Sequence, residues 1–351
     1  MSRRAAAIVS ATERLRDPSP GRRPRAIRPT QSQLSRRAIL AAAAGLALGG
    51  CSFGGNAPAP LPVTNARSYP NAVRPDLLVS ASQVVPILGA ECDGPTILDV
   101  RPLRDYRAGH IQTATHAWWQ DTMERNALSY GATLKPDDDA GKQTRRQAVI
   151  DLWGVRGALQ VIVYDDHVSV EAARVAWFLA FLGYQRVGVL DGGYAGWFAE
   201  GLPVIEPPQR IPACLAPPER SPQPGYYLLY EQVLNRLADG NTVLLDIRTD
   251  AELRDTVDGT VRPGTIPGAL SWPWDQLLDP DRRLRPAADL TERARSLGLS
   301  PSQRVVLVGR FATDCALSWL APQQIGFPDV PTYDGGWMEW STRPDAPVAW
   351  L

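Results

Sequence analysis

The sequence predicts an α/β protein of two similar domains, each a parallel sheet flanked by helices on both faces. Three observations carry this expectation. The first is a duplication: Ile97-Leu98-Asp99-Val100-Arg101 returns as Leu244-Leu245-Asp246-Ile247-Arg248, and Val161-Ile162-Val163-Tyr164 returns as Val305-Val306-Leu307-Val308. Likewise Leu190-Asp191-Gly192-Gly193, closed by Trp197, returns as Tyr333-Asp334-Gly335-Gly336, closed by Trp340. Offsets of 143 to 147 residues fit one duplicated unit with small loop insertions. The second is alternation, within each copy, of short β-branched runs with helical periodicity, the pattern of a parallel sheet covered on both sides. The third is a break between the copies: residues 203–224 contain eight Pro and read as an extended linker.

Taken in order, residues 1–50 predict a twin-arginine-type lipoprotein signal. Ser35-Arg36-Arg37 precedes an apolar run ending at Leu48, followed by Gly49-Gly50-Cys51, the layout of an export signal. The run is too short to span a bilayer as a helix. Leu48-Gly49-Gly50-Cys51 resembles a bacterial lipobox, which implies lipidation of Cys51 and attachment to a membrane at the cell envelope. The competing reading is an ordinary secretory signal with a chance Cys. Residues 51–76, rich in Pro and small residues near their start, form a tether. The first domain is expected over 77–206, with strands near 96–100, 160–164 and 187–190 and helices near 143–153 and 171–182. In the last of these, Arg174, Val175, Trp177, Phe178, Phe181 and Leu182 follow helical spacing. A Pro-rich linker over 207–224 leads to the second domain, 225–351. There strands near 242–246, 304–308 and 330–333 alternate with helices near 229–239, 288–297 and 315–325.

Charge and cysteine content narrow the function. Ten of the 37 basic residues lie within residues 1–37 against two of the 37 acidic ones, so the remainder is acidic by eight. That balance argues against nucleic acid as a partner. The four Cys, at 51, 92, 214 and 315, match no metal-binding spacing, and three His add no zinc cluster. No Gly-x-Gly-x-x-Gly follows a strand, so neither a dinucleotide nor any other cofactor is implied.

The repeated segments resemble the tandem rhodanese family, the thiosulfate and 3-mercaptopyruvate sulfurtransferases. Asp99-Val100-Arg101 with Tyr106 and Gly109-His110-Ile111 is similar to that family's first signature. Gly264-Thr265-Ile266-Pro267-Gly268-Ala269 is the second copy's version, with Thr265 where the signature has His. Asp334-Gly335-Gly336-Trp337-Met338-Glu339-Trp340 resembles the C-terminal signature. The resemblance implies two rhodanese-like domains, the first of the non-catalytic type with an Asp in its loop. It also implies a small sulfur oxyanion or a sulfur-carrier protein as partner.

In active members the second domain's strand is followed by a loop whose Cys takes up sulfane sulfur as a persulfide. Here the matching stretch is Gly309, Arg310, Phe311, Ala312, Thr313 and Asp314, then Cys315. A strand, a tight loop and a helix start direct backbone N–H groups into one concavity suited to an anion or a thiolate. The resemblance places the nucleophile at Gly309, which has no side chain, while the first copy has Asp165, followed by Asp166. Cysteine phosphatases of this fold need the same Cys and are excluded with it. Cys315, six residues on, is either a relocated nucleophile or a small buried hydrophobe in the first helical turn, with Asp314 beside it opposing ionisation. The expectation is a rhodanese-like module that lacks standard persulfide chemistry. An active sulfurtransferase using Cys315 is the alternative.

Overall fold

The structure, a computed structural model, describes residues 68–89, 94–122, 140–155, 160–206, 220, 222–223, 225–238, 240–254 and 261–350. The expected signal, Cys51, residues 51–67 of the tether, Cys92, Cys214 and most of the linker lie outside these residues.

The first copy runs β1 (Leu78–Val79), α1 (Ala81–Val84), β2 (Thr96–Asp99), α2 (Leu103–Ala108), β3 (His110–Ile111), β4 (Ala114–His116), α3 (Ala140–Leu152), β5 (Val161–Tyr164), α4 (Val170–Phe181), β6 (Val187–Leu190), α5 (Gly193–Ala199) and β7 (Val204–Ile205). The second runs β8 (Tyr227–Leu228), α6 (Tyr230–Leu237), β9 (Thr242–Asp246), α7 (Asp250–Arg254), β10 (Leu270–Ser271), α8 (Ala287–Ser296), β11 (Arg304–Val308), α9 (Ala316–Gln324), β12 (Thr332–Tyr333) and α10 (Gly336–Thr342). Each copy builds a five-stranded sheet, in the orders β1-β6-β5-β2-β4 and β10-β9-β11-β12-β8, with every pairing parallel. The two-residue strands escape periodicity analysis because two residues cannot display an alternation. The helix expected near 315–325 begins differently: Ala312–Cys315 forms a 3-10 turn and α9 starts at Ala316.

One apolar core is shared by the two sheets, and each sheet has a smaller core of its own on the other face. In α4, Ser169 caps the helix by accepting from the Ala172 N–H, and Ala172 through Phe181 are all buried. Every residue of α9 is buried as well. Helices apolar on all sides must be covered on all sides; α4 lies on the first sheet with its outer face against α9. Full burial of Phe178, Leu179 and Phe181 contributes roughly 1.5–3 kcal/mol each. This packing brings α4 of the first copy onto the Ala312–Cys315 turn of the second.

Candidate functional site

Sheet register aligns the two loops residue by residue. Tyr164 pairs with Asp99 at the end of β5, and Val308 pairs with Asp246 at the end of β11, so Asp165 and Gly309 are equivalent positions. The same backbone bonds follow. The Tyr194 and Ala195 N–H groups donate to the Asp165 and Asp166 carbonyls at 2.7 and 2.8 Å; Trp337 and Met338 donate to the Gly309 and Arg310 carbonyls at 2.9 and 3.2 Å. Gly193 and Gly336 permit this approach. Both have positive φ, and a Cβ there would lie 2.5 Å from the Asp165 and Arg310 carbonyl oxygens.

Beneath each loop a buried Arg ties the strand end to a neighbouring turn. Arg101 donates to the Asp99 carboxylate and the Gly109 carbonyl; Arg248 does the same with Asp246 and the Gly264 carbonyl. Burial opposes the Arg101 charge, but the Asp99 carboxylate overrides it and raises the pKa. Each guanidinium lies over an aromatic ring, Arg101 at 3.6 Å from the Tyr194 centroid and Arg248 at 4.2 Å from that of Trp337. The Asp carboxylates are completed differently. Tyr164 donates to Asp99 at 2.7 Å, whereas in the second copy Thr265 donates to Asp246 at 2.7 Å. Thr265 thus replaces both the signature His and the Tyr hydroxyl that Val308 cannot supply. His110 is buried, stacked on Tyr106, with Nδ1 2.9 Å from the Tyr106 carbonyl; it holds the turn.

In the first loop, Asp165 accepts from the Asp166 N–H at 2.7 Å and from the Ser169 hydroxyl at 2.6 Å. Burial raises its pKa, against those two hydrogen bonds. Asp166 is exposed and lies 3.8 Å from Arg101.

The second loop is closed on itself. The Phe311 N–H donates to the Asp314 carboxylate at 3.1 Å, and the Asp314 N–H donates back to the Phe311 carbonyl at 3.1 Å. Cys315 is fully buried, 3.8 Å from the Phe311 carbonyl. Its sulfur turns back toward the strand end: a Cβ built on Gly309 would lie 3.0 Å from Cys315 Sγ, 2.8 Å from the Phe311 carbonyl oxygen and 3.4 Å from the Asp314 Cβ. Burial pushes the thiol pKa well up, and the Asp314 carboxylate adds to this; the Gly309 N–H and Arg174 act in the opposite direction. The structure therefore brings Gly309, Phe311, Ala312, Asp314 and Cys315 together, with Arg310 half-buried at the rim and Thr313 within the turn.

One residue here is missed by sequence reasoning as part of the site, Arg174, which reads as part of a helix face and, with Ala173, as a feature of the non-catalytic first unit. Its guanidinium is buried and comes from α4, within electrostatic reach of Asp314, Asp334 and Cys315. Burial lowers its pKa to about 10, with those three groups working to raise it. A basic residue on an otherwise apolar helix face was the available signal. Among the described residues no group of His, Cys, Asp and Glu could hold a metal ion, and no helix is long and apolar enough to cross a membrane.

Comparison with known proteins agrees with this geometry. The rhodanese-like domain family matches residues 87–200 and 229–343. A thiosulfate sulfurtransferase of Azotobacter vinelandii is 31% identical over 72% of this chain and 90% of its own. The sulfur carrier protein TtuD of Thermus thermophilus is 28% identical over 70% and 86%. Among solved structures, that of YnjE superposes with a TM-score of 0.65 at 24% identity, covering 79% of this chain and 69% of the other; that likeness concerns the fold.

Proposed function

We propose a binding role without standard persulfide catalysis, from the premise that this chain belongs to the rhodanese family, the family of the sulfurtransferases. The observation that carries the reading is the filled space at Gly309. No side chain stands there to accept sulfur, and the Phe311 carbonyl and Cys315 Sγ occupy the volume a side chain would enter. The one thiol in the loop is buried and held protonated, whereas the chemistry needs a thiolate. Fold alone does not supply the reaction, because function lives in the site. The favoured partner is a sulfur-carrier protein or another protein of the cell envelope. The Arg36-Arg37 pair and the Cys51 lipobox support export and a lipid anchor.

A second reading keeps an enzyme. Cys315 Sγ lies beside the place a residue-309 side chain would start, so the sulfur is near the nucleophile's compartment although its residue is six positions away. Loop opening would then expose it to thiosulfate or 3-mercaptopyruvate. Sulfur transfer to cyanide by the purified full chain, beside Cys315→Ser, separates the two. Absence of transfer in both supports the binding role, and transfer by the parent that disappears in Cys315→Ser establishes the enzyme. For the anchor, Cys51→Ala is expected to leave the membrane fraction; a variant that stays membrane-bound counts against lipidation.

A further inference from the structure

We infer that the second loop is an anion site closed by its own Asp314 carboxylate, with Arg174 of the first domain as buried counter-charge, and that removing this carboxylate opens the site to a small sulfur oxyanion. The inference rests on the non-catalytic reading of the loop.

Three observations converge. Asp314 takes up the Phe311 N–H at 3.1 Å, a backbone donor of the kind that such a loop offers to a bound anion. Its carboxylate is thus a built-in ligand, placed at the start of a nine-residue helix, α9, where negative charge is favourable. The first loop also bonds a carboxylate internally. Asp165, at the position equivalent to Gly309, engages the Asp166 N–H and the Ser169 hydroxyl, so each rhodanese unit holds a carboxylate bonded within its own loop.

The independent observation is Arg174. It is 2% exposed; its Nε donates to the Thr122 hydroxyl at 3.3 Å and it lies over the Trp177 ring, but its Nη1 and Nη2 find no hydrogen-bond partner among the described residues. Buried polar groups are ordinarily hydrogen-bonded, and a buried charge without close partners is costly. A guanidinium left in this condition against the turn marks a place built to face negative charge. The groups around it are Asp314, Asp334 and the protonated Cys315. Asp314 itself holds the place facing the Phe311 N–H and so keeps an incoming anion from it. Without Asp314 the Phe311 N–H and the helix start lose their internal ligand, beside the turn on which α4, the helix of Arg174, is packed.

The test compares the full chain with Asp314→Ala, reading melting temperature in sodium thiosulfate against sodium chloride of equal ionic strength. A ligand at about tenfold its dissociation constant raises the melting temperature of a domain this size by roughly 2–4 °C. The expected result is an excess rise of that order in Asp314→Ala over the parent, lost again when Arg174→Met is added. An equal rise in parent and variant, or an excess that survives Arg174→Met, overturns the inference. If Asp314→Ala does not fold in chloride, it is refolded from urea in thiosulfate: recovery of folded protein supports the inference, and no recovery overturns it. Persulfide formation by the parent would defeat the non-catalytic reading through a different readout, so the two failures are distinguishable.

Discussion

Gly309→Ala probes the closed loop most sharply, because the added methyl enters a space whose occupants are known. Its Cβ would meet the Phe311 carbonyl oxygen at 2.8 Å and Cys315 Sγ at 3.0 Å, both inside ordinary contact distance. Gly309 is not in the left-handed region, so the cost is steric and not conformational. Overpacking of this kind costs about 1–3 kcal/mol. Part of that cost belongs to the sulfur, and a double-mutant cycle isolates it. Cys315→Ala alone removes a buried sulfur and costs on the order of 1 kcal/mol. In Gly309→Ala/Cys315→Ala the new methyl faces the vacated sulfur position, so the double variant should be more stable than the sum of the singles implies by about 1 kcal/mol or more. Urea unfolding of the four proteins gives each value. Additivity within about 0.5 kcal/mol would refute the reasoning, since it would mean that Cys315 does not occupy the space beside Gly309.

The remaining predictions concern ionisation and the buried pairs. Iodoacetamide at neutral pH should leave Cys315 unmodified in the folded chain and alkylate it in urea, as read by peptide mass mapping; native labelling would contradict its burial. The raised thiol pKa gives a pH dependence whose sign is fixed. The folded chain keeps a proton that the unfolded chain loses near about pH 8.5, so this contribution is intact below that pH and is lost as pH rises above it. The urea midpoint of the parent should therefore fall more between about pH 8.5 and 10.5 than that of Cys315→Ala, and equal falls would contradict the shift. Arg248→Leu strands the buried Asp246 carboxylate and should cost about 3–5 kcal/mol, whereas Arg248→Leu/Asp246→Leu should recover much of it. Thr265→Val removes the 2.7 Å bond to Asp246 and should cost about 1–3 kcal/mol, measured the same way.

The fold was legible where apolar runs repeat: β5 and β11, β2 and β9, and the helices α3, α4, α6, α8 and most of α9 follow from pattern, whereas the short α2 and α7 do not. The loop's location was legible for the same reason, since Gly309 ends a strand whose register the duplication sets. Its interior was not. That Asp314 folds back onto the Phe311 N–H depends on a 3-10 turn that no periodicity announces, and the direction of Cys315 follows from that turn. Arg174 lies 140 residues from Asp314 in sequence, and only the packing of α4 on α9 joins them. Thr265 could be seen as a departure from the signature. That it serves Asp246 in place of the Tyr164 hydroxyl required both sheets in view.

The central claim, a rhodanese loop closed without a working sulfur acceptor, is tested most directly by mass spectrometry of the intact chain and its Cys315 peptide after incubation with thiosulfate and with 3-mercaptopyruvate. No sulfane-sulfur adduct on Cys315 is expected under native conditions. A stoichiometric persulfide on Cys315 that cyanide then removes would contradict it.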